Sequence, residues 1–166
     1  RTHRVGVDVM QVALPHFEES SASFCRTMSS SMSRSEREWV AQGASEADVL
    51  SRLYDVWTYK EALTKNMGLG LGYDFARIDL RFGRDVRLAM DGRAVDTYRF
   101  RELALPCGAS SRAPGSRVAI ALGPRDAWEA PMSKQAVPAQ QAMDEGWLRM
   151  WTYDAWLDYA RAMSGV

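Results

Sequence analysis

Three charged side chains stand where chemistry can use them: Asp8, Glu61 and Lys65. Leu50, Leu53, Tyr54 and Trp57 recur at spacings of 3, 4 and 7 from the first, which marks one face of an amphipathic helix. Carried on by whole turns, that face reaches Glu61 and then Lys65, an acid and a base where the pattern asks for core residues. Burying a charge is costly unless it is paired or bound to a metal. Either the helix end opens into a polar cleft, or Glu61 and Lys65 pair with each other at i,i+4 on the surface. Asp8 bears on the choice, because a strand carboxylate and a helix carboxylate can converge on a hard cation. Mg²⁺ takes few protein carboxylates, keeps waters and draws its remaining ligands from substrate phosphates. A lysine one turn beyond Glu61 reaches the same phosphate. Spacing alone leaves both readings standing.

These side chains need a strand and a helix to hold them. Residues 4–10 alternate: Val5, Val7 and Val9 point one way, Gly6, Asp8 and Met10 the other, giving a strand with an apolar face and a carboxylate opposite. Residues 17–42 read as interrupted helix, with Phe17, Phe24, Met28 and Met32 at weak helical spacing. Eight of the sixteen residues from 20 to 35 are serine, which favours caps, turns and mobile surface over firm helix. Ser35 with Glu38 has the capping-box pattern for a short helix anchored by Trp39. Ser45, with Glu46 and Asp48 in the first turn, starts a long helix that runs to about residue 66 and ends at Gly68. The glycine-rich residues 68–72 follow a helix rather than precede one, so they read as a helix-to-sheet connection and not as a phosphate cradle.

From Tyr73 the pattern is β. Phe75, Ile78 and Leu80 belong to one strand, residues 86–90 to a second, then Asp91-Gly92 signals a tight turn. Residues 98–103 and 118–122 suit further strands, separated by a Pro/Gly/Ser-rich loop over 106–116. A strand, then helices, then antiparallel hairpins make an α+β fold, with an antiparallel sheet packed against a long helix. Residues 124–166 form a separate helical tail that holds Trp128, Trp147, Trp151 and Trp156, four of the six tryptophans, and is expected to pack on this domain, a partner domain or another copy.

Composition narrows the function classes. The chain has 166 residues, 46% hydrophobic and 25% charged, which suits one domain with a real core. Lys+Arg and Asp+Glu are equal at 21 each, so no global field favours nucleic acid or an acidic membrane. No apolar run reaches the length of a membrane span, and no signal peptide is visible. Cys25 and Cys107 have no metal-type spacing and read as reduced thiols of a cytoplasmic protein, with one disulfide as the alternative. A strand-like run begins almost at Arg1, which suggests a piece of a longer protein.

The wording of the motifs goes further than their spacing. Gly6-Val7-Asp8-Val9-Met10, a Ser-x-x-Glu-Trp element at Ser35 to Trp39, and Trp57-x-x-Lys60-Glu61-Ala62-x-x-Lys65 occur in that order. Over residues 4 to about 122 the chain resembles the 4′-phosphopantetheinyl transferases of the larger, surfactin-type class. Its continuation Gly68-Leu69-Gly70-Leu71-Gly72-Tyr73-Asp74-Phe75 looks like the eukaryotic branch that activates the aminoadipate reductase of lysine biosynthesis. The resemblance implies that residues 1–123 are the C-terminal half of such an enzyme. It implies transfer of 4′-phosphopantetheine from coenzyme A to a serine of an acyl or peptidyl carrier protein, with Mg²⁺ held by Asp8 and Glu61. In that scheme Glu61 also serves as the base, and Lys65 contacts the pyrophosphate and steadies the leaving group. Lys60, about 100° round the helix from Glu61, reads equally well as a solvated charge.

Two departures matter. Met10 stands where many members have a second acid, and a thioether is a poor Mg²⁺ ligand, so a water is expected in that place. The family's first half, with the groups that grip the nucleotide, has no counterpart here, and His3 lies too close to the strand to supply one. The chain then works with a missing N-terminal half or as a homo-oligomer. The alternative is a non-catalytic remnant that keeps the fold and binds a carrier protein, through a basic rim drawn from Arg34, Arg37, Arg77, Arg81 and Arg84.

Overall fold

The computed structural model describes residues 4–105, 115–124, 137–146, 148, 155 and 162. Its central element is the helix α3, Glu46–Met67, which α1, Ser21–Thr27, and α2, Arg34–Ala41, precede in the chain. At 22 residues α3 is about 33 Å long. Ser45 caps its start by accepting from the Asp48 N–H, and Gly68, in the left-handed region at φ 75°, ends it.

A four-stranded sheet packs on α3. It contains β1 (Arg4–Gln11), β5 (Arg99–Leu105), β6 (Ser116–Gly123) and β7 (Val137–Pro138). The order is β1-β6-β5-β7, with β6 antiparallel to both its neighbours and β7 parallel to β5. A second sheet, β2 (Ile78–Arg81), β3 (Arg87–Met90) and β4 (Arg93–Val95), is an antiparallel meander. Asp91 and Gly92, both at positive φ, make the two-residue turn between β3 and β4. The α+β fold, antiparallel sheets against one long helix, is as the sequence indicates. Phe75 lies in a short 3₁₀ turn before β2 rather than in the strand.

The core lies between α3 and the two sheets. Tyr59, Ala62 and Leu63 of α3 meet Ile78, Leu80 and Leu88 of the meander and Phe100, Ala119 and Ala121 of the larger sheet. A second cluster joins Phe24, Met32, Val40, Leu53, Tyr54 and Val56 where α1 and α2 cross α3. With packing on several sides, α3 is buried almost all round from Leu53 to Thr64. The stripe from Leu50 to Trp57 is therefore only part of its buried surface, and Leu50 and Trp57 are themselves half-buried.

Three local readings are corrected. The valine face of β1 is outward: Val5, Val7 and Val9 are 58%, 48% and 55% exposed, while Gly6 and Asp8 are buried against α3. Alternation separates two faces but does not say which is inward, and here close approach of the helix selects the glycine face. A Cβ on Gly6 would fall 2.0 Å from the Ala62 carbonyl oxygen and 2.4 Å from the Asn66 nitrogen, so only glycine admits α3 at this distance. The cap of α2 is Ser33 with Glu36, two residues earlier than the Ser35–Glu38 pattern; Ser35 donates instead to Asp79. Third, Lys60 is not a solvated charge but a buried one, as described below.

Trp39 anchors α2 as expected, stacking on Phe82 with ring centroids 4.2 Å apart. The helix α4, Ala139–Asp144, lies on the outer face of the larger sheet, where Ala142 meets Leu103 and Val118. Trp128, Trp147, Trp151, Trp156, Cys107, His3 and most of the 106–116 loop lie outside the described residues.

Candidate functional site

Asp8 sits mid-strand on β1, opposite Ala119 of β6, and its carboxylate enters the layer under α3. Lys65, in the last turn of α3, donates from Nζ to Asp8 Oδ1 at 2.7 Å. The lysine is 46% exposed and the aspartate 9%, so the pair lies at the edge of the core with the acid inside. Asp8 Oδ2 is buried with no hydrogen-bond partner. Glu61, one turn before Lys65, is 9% exposed, and its carboxyl is held above the usual range by burial, then by the Asp8 charge, with Lys65 opposing both. The structure thus brings Asp8, Glu61 and Lys65 to one place. The ion pair formed there joins Lys65 to Asp8 across the strand–helix junction, not to Glu61 along the helix.

What holds them is close packing of β1 on α3. Gly6 admits the helix, and the Asn66 side-chain amide donates to the carbonyls of Arg4 at 2.8 Å and Ala121 at 2.9 Å. That amide ties the end of α3 to β1 and β6 together, one residue beyond Lys65. Nothing in the spacing marks Asn66, although an amide in a helix that must dock on strand edges is a usable signal.

Lys60 carries a different task. Its ammonium is 2.6 Å from Glu36 Oε2, the two side chains are 1% and 0% exposed, and Nζ also donates to the carbonyls of Ser31 and Phe75, each at 2.8 Å. Glu36 in turn accepts from the backbone N–H groups of Ser33 and Leu80. Burial pushes the Glu36 carboxyl up and the Lys60 ammonium down, and the pair's mutual attraction offsets part of both. A buried ion pair with its remaining donors and acceptors satisfied is tolerable, and it locks α2 and β2 onto α3 beside Glu61.

On the other side of Tyr59 a second polar group crosses the core. Tyr59 Oη donates to Glu102 at 3.0 Å, and the Arg117 guanidinium lies 3.4 Å from Asp55 and 3.7 Å from Glu102. Local spacing does not mark these residues, because the contacts join α3 to β5 and β6, with Tyr59 and Glu102 43 positions apart.

The donor set suits a hard cation of modest demands. Among the described residues no group of three or more His, Cys, Asp or Glu could hold a metal ion. Two converging carboxylates, one with a buried oxygen that has no partner, fit an ion that completes its shell with water and phosphate. Met10 lies on the same face of β1 but packs towards the cluster around Phe24 and Tyr54.

The basic rim is largely engaged within the chain. Arg34 pairs with Glu38, Arg77 makes a two-point contact with Asp91, Arg81 pairs with Asp79, and Arg37 donates to the Ser29 and Met32 carbonyls. Among the described residues no helix is long and apolar enough to cross a membrane.

A strand aspartate, a helix glutamate and a lysine one turn on thus meet between a helix and an antiparallel sheet. The chain belongs to the 4′-phosphopantetheinyl transferase superfamily, whose model matches residues 4–120. It is 37% identical over 103 residues to a 4′-phosphopantetheinyl transferase of Paxillus involutus, covering 60% of this chain and 39% of that protein. Identity to a phosphopantetheinyl transferase of Thraustochytrium is 32% over 104 residues, 58% of this chain and 36% of the relative. Identity to the human L-aminoadipate-semialdehyde dehydrogenase-phosphopantetheinyl transferase is 26% over 109 residues, 60% of this chain and 35% of the relative. The matched segment thus spans under two fifths of the length of each.

Proposed function

We propose that this chain supplies the metal–pyrophosphate side of a site that moves 4′-phosphopantetheine from coenzyme A to a carrier-protein serine. The observation that carries the reading is the convergence of Asp8, Glu61 and Lys65 at the β1–α3 junction. Asp8 and Glu61 would hold Mg²⁺, which when bound neutralises pyrophosphate charge. Glu61 takes the proton of the serine hydroxyl, directly or through a water. The serine oxygen then bonds to the β-phosphorus of coenzyme A, the one that carries pantetheine, as the bond from that phosphorus to the bridging oxygen breaks. Electrons leave with 3′,5′-ADP. Lys65 steadies the charge on the departing phosphate.

The human relative's name pairs it with an aminoadipate-semialdehyde dehydrogenase, which supports a carrier domain of that lysine-pathway class as the acceptor. A second reading rests on the span of the match: a fold that binds a carrier without catalysis, until a second half or a second copy completes the cleft. Mass spectrometry of an apo carrier protein incubated with this chain, coenzyme A and Mg²⁺ separates the two. A gain of the phosphopantetheine mass, lost in Asp8→Ala and Glu61→Ala, supports transfer. No gain, with carrier binding intact, supports the second reading.

A further inference from the structure

The Lys65–Asp8 contact raises a question of order. Asp8 Oδ1 is the carboxylate oxygen on which Lys65 Nζ rests at 2.7 Å. Asp8 is fixed: it lies mid-strand, 9% exposed, under a helix that a single Cβ on Gly6 would displace. Lys65 is not fixed to the same degree. It is 46% exposed, on a four-carbon stem at the end of α3, and can withdraw to water or to another anion. A cation held by Asp8 and Glu61, even through the unpartnered Oδ2, would share one carboxylate charge with the lysine ammonium on Oδ1, and the two like charges repel. Both cannot hold Asp8 at full strength.

We infer that Lys65 competes with the divalent cation for Asp8, so that the site favours a cation arriving with pyrophosphate over a free one. This rests on the metal–pyrophosphate reading above. Pyrophosphate offers Lys65 an alternative anionic partner, and its move there frees Asp8. Cation and pyrophosphate binding are then positively coupled, and by linkage each strengthens the other to the same degree. Lys65 is the residue through which the coupling acts, in addition to its contact with the leaving group.

The test reads binding rather than turnover. Mn²⁺ is titrated into this chain and followed by electron paramagnetic resonance, without and then with inorganic pyrophosphate. Variants are Lys65→Met, Lys65→Arg and Asp8→Asn, each checked for native circular dichroism. Lys65→Met is expected to bind free Mn²⁺ about 1.5- to 5-fold more tightly than the parent, the range of one partly exposed ion pair. Lys65→Arg, which keeps the charge, should stay near the parent. Pyrophosphate should tighten Mn²⁺ binding less in Lys65→Met than in the parent. Equal or weaker binding of free Mn²⁺ by Lys65→Met, with binding still lost in Asp8→Asn, overturns the competition and leaves the cation site standing. Mn²⁺ binding that is unchanged in Asp8→Asn overturns both.

Discussion

Gly6 and Lys60 carry more of the site's geometry than their plain chemistry suggests. The added methyl of Gly6→Ala would overlap the Ala62 carbonyl, so strand and helix must part. Overpacking of this kind typically costs about 1–3 kcal/mol, and here the shift also draws Asp8 away from Glu61 and Lys65. Urea denaturation of the Gly6→Ala chain should show a lower midpoint; an unchanged midpoint would mean that β1 and α3 are not in tight contact. For the buried pair, Lys60→Met alone leaves Glu36 charged and without its counter-ion, a loss of about 3–5 kcal/mol. Adding Glu36→Gln should recover part of that loss, which a double-mutant cycle measures directly. Additive losses would contradict the pairing.

At the scale of elements, the Asp79 carboxylate joins β2 to the start of α2 by accepting from Ser33, Ser35 and Arg81. Burial alone would raise its carboxyl, but the hydrogen bonds from Ser35, Ser33 and Arg81 outweigh that and leave it below its usual range. A carboxylate with a depressed folded value stabilises the fold above its unfolded value, and the contribution fades as pH falls through the folded one. Asp79→Asn should therefore lower the urea midpoint at pH 7, and lower it less at an acid pH under the ordinary range of an aspartate. A loss of the same size at both values would argue against an ionised Asp79. On β1, Val7→Thr should change stability by less than about 0.5 kcal/mol, because that side chain faces out of the sheet. A loss typical of a core valine would restore the inward face that simple alternation suggests.

For the whole molecule, the order of elements, the long helix with both its caps and most strands were legible in the sequence, because periodicity and Ser, Gly and Asp-Gly signals act locally. Asp8, Glu61 and Lys65 were legible as a group through their motifs. What was not legible depends on partners distant in sequence: the inward face of β1, chosen by α3; the Lys60–Glu36 pair, made across the α2–α3 crossing; Asn66, tied to two strands. The outward valines of β1 neighbour Leu122, Ile120 and Val118 of β6 in register, and α4 covers that face at Val118 and Leu103. The polar site and this apolar face thus lie on opposite sides of one strand. A change on the valine side is expected to spare the Lys65–Asp8 contact, whereas one on the glycine side disturbs stability and that contact together.

In the function proposed above, Asp8, Glu61 and Lys65 form one wall of a cation–pyrophosphate site. Calorimetric titration of coenzyme A into this chain, with and without Mg²⁺, tests it most directly. Binding should strengthen with Mg²⁺ and lose that strengthening in Asp8→Asn, while circular dichroism stays native. Coenzyme A binding that is indifferent to Mg²⁺, or equally strengthened by it in Asp8→Asn, would contradict the account.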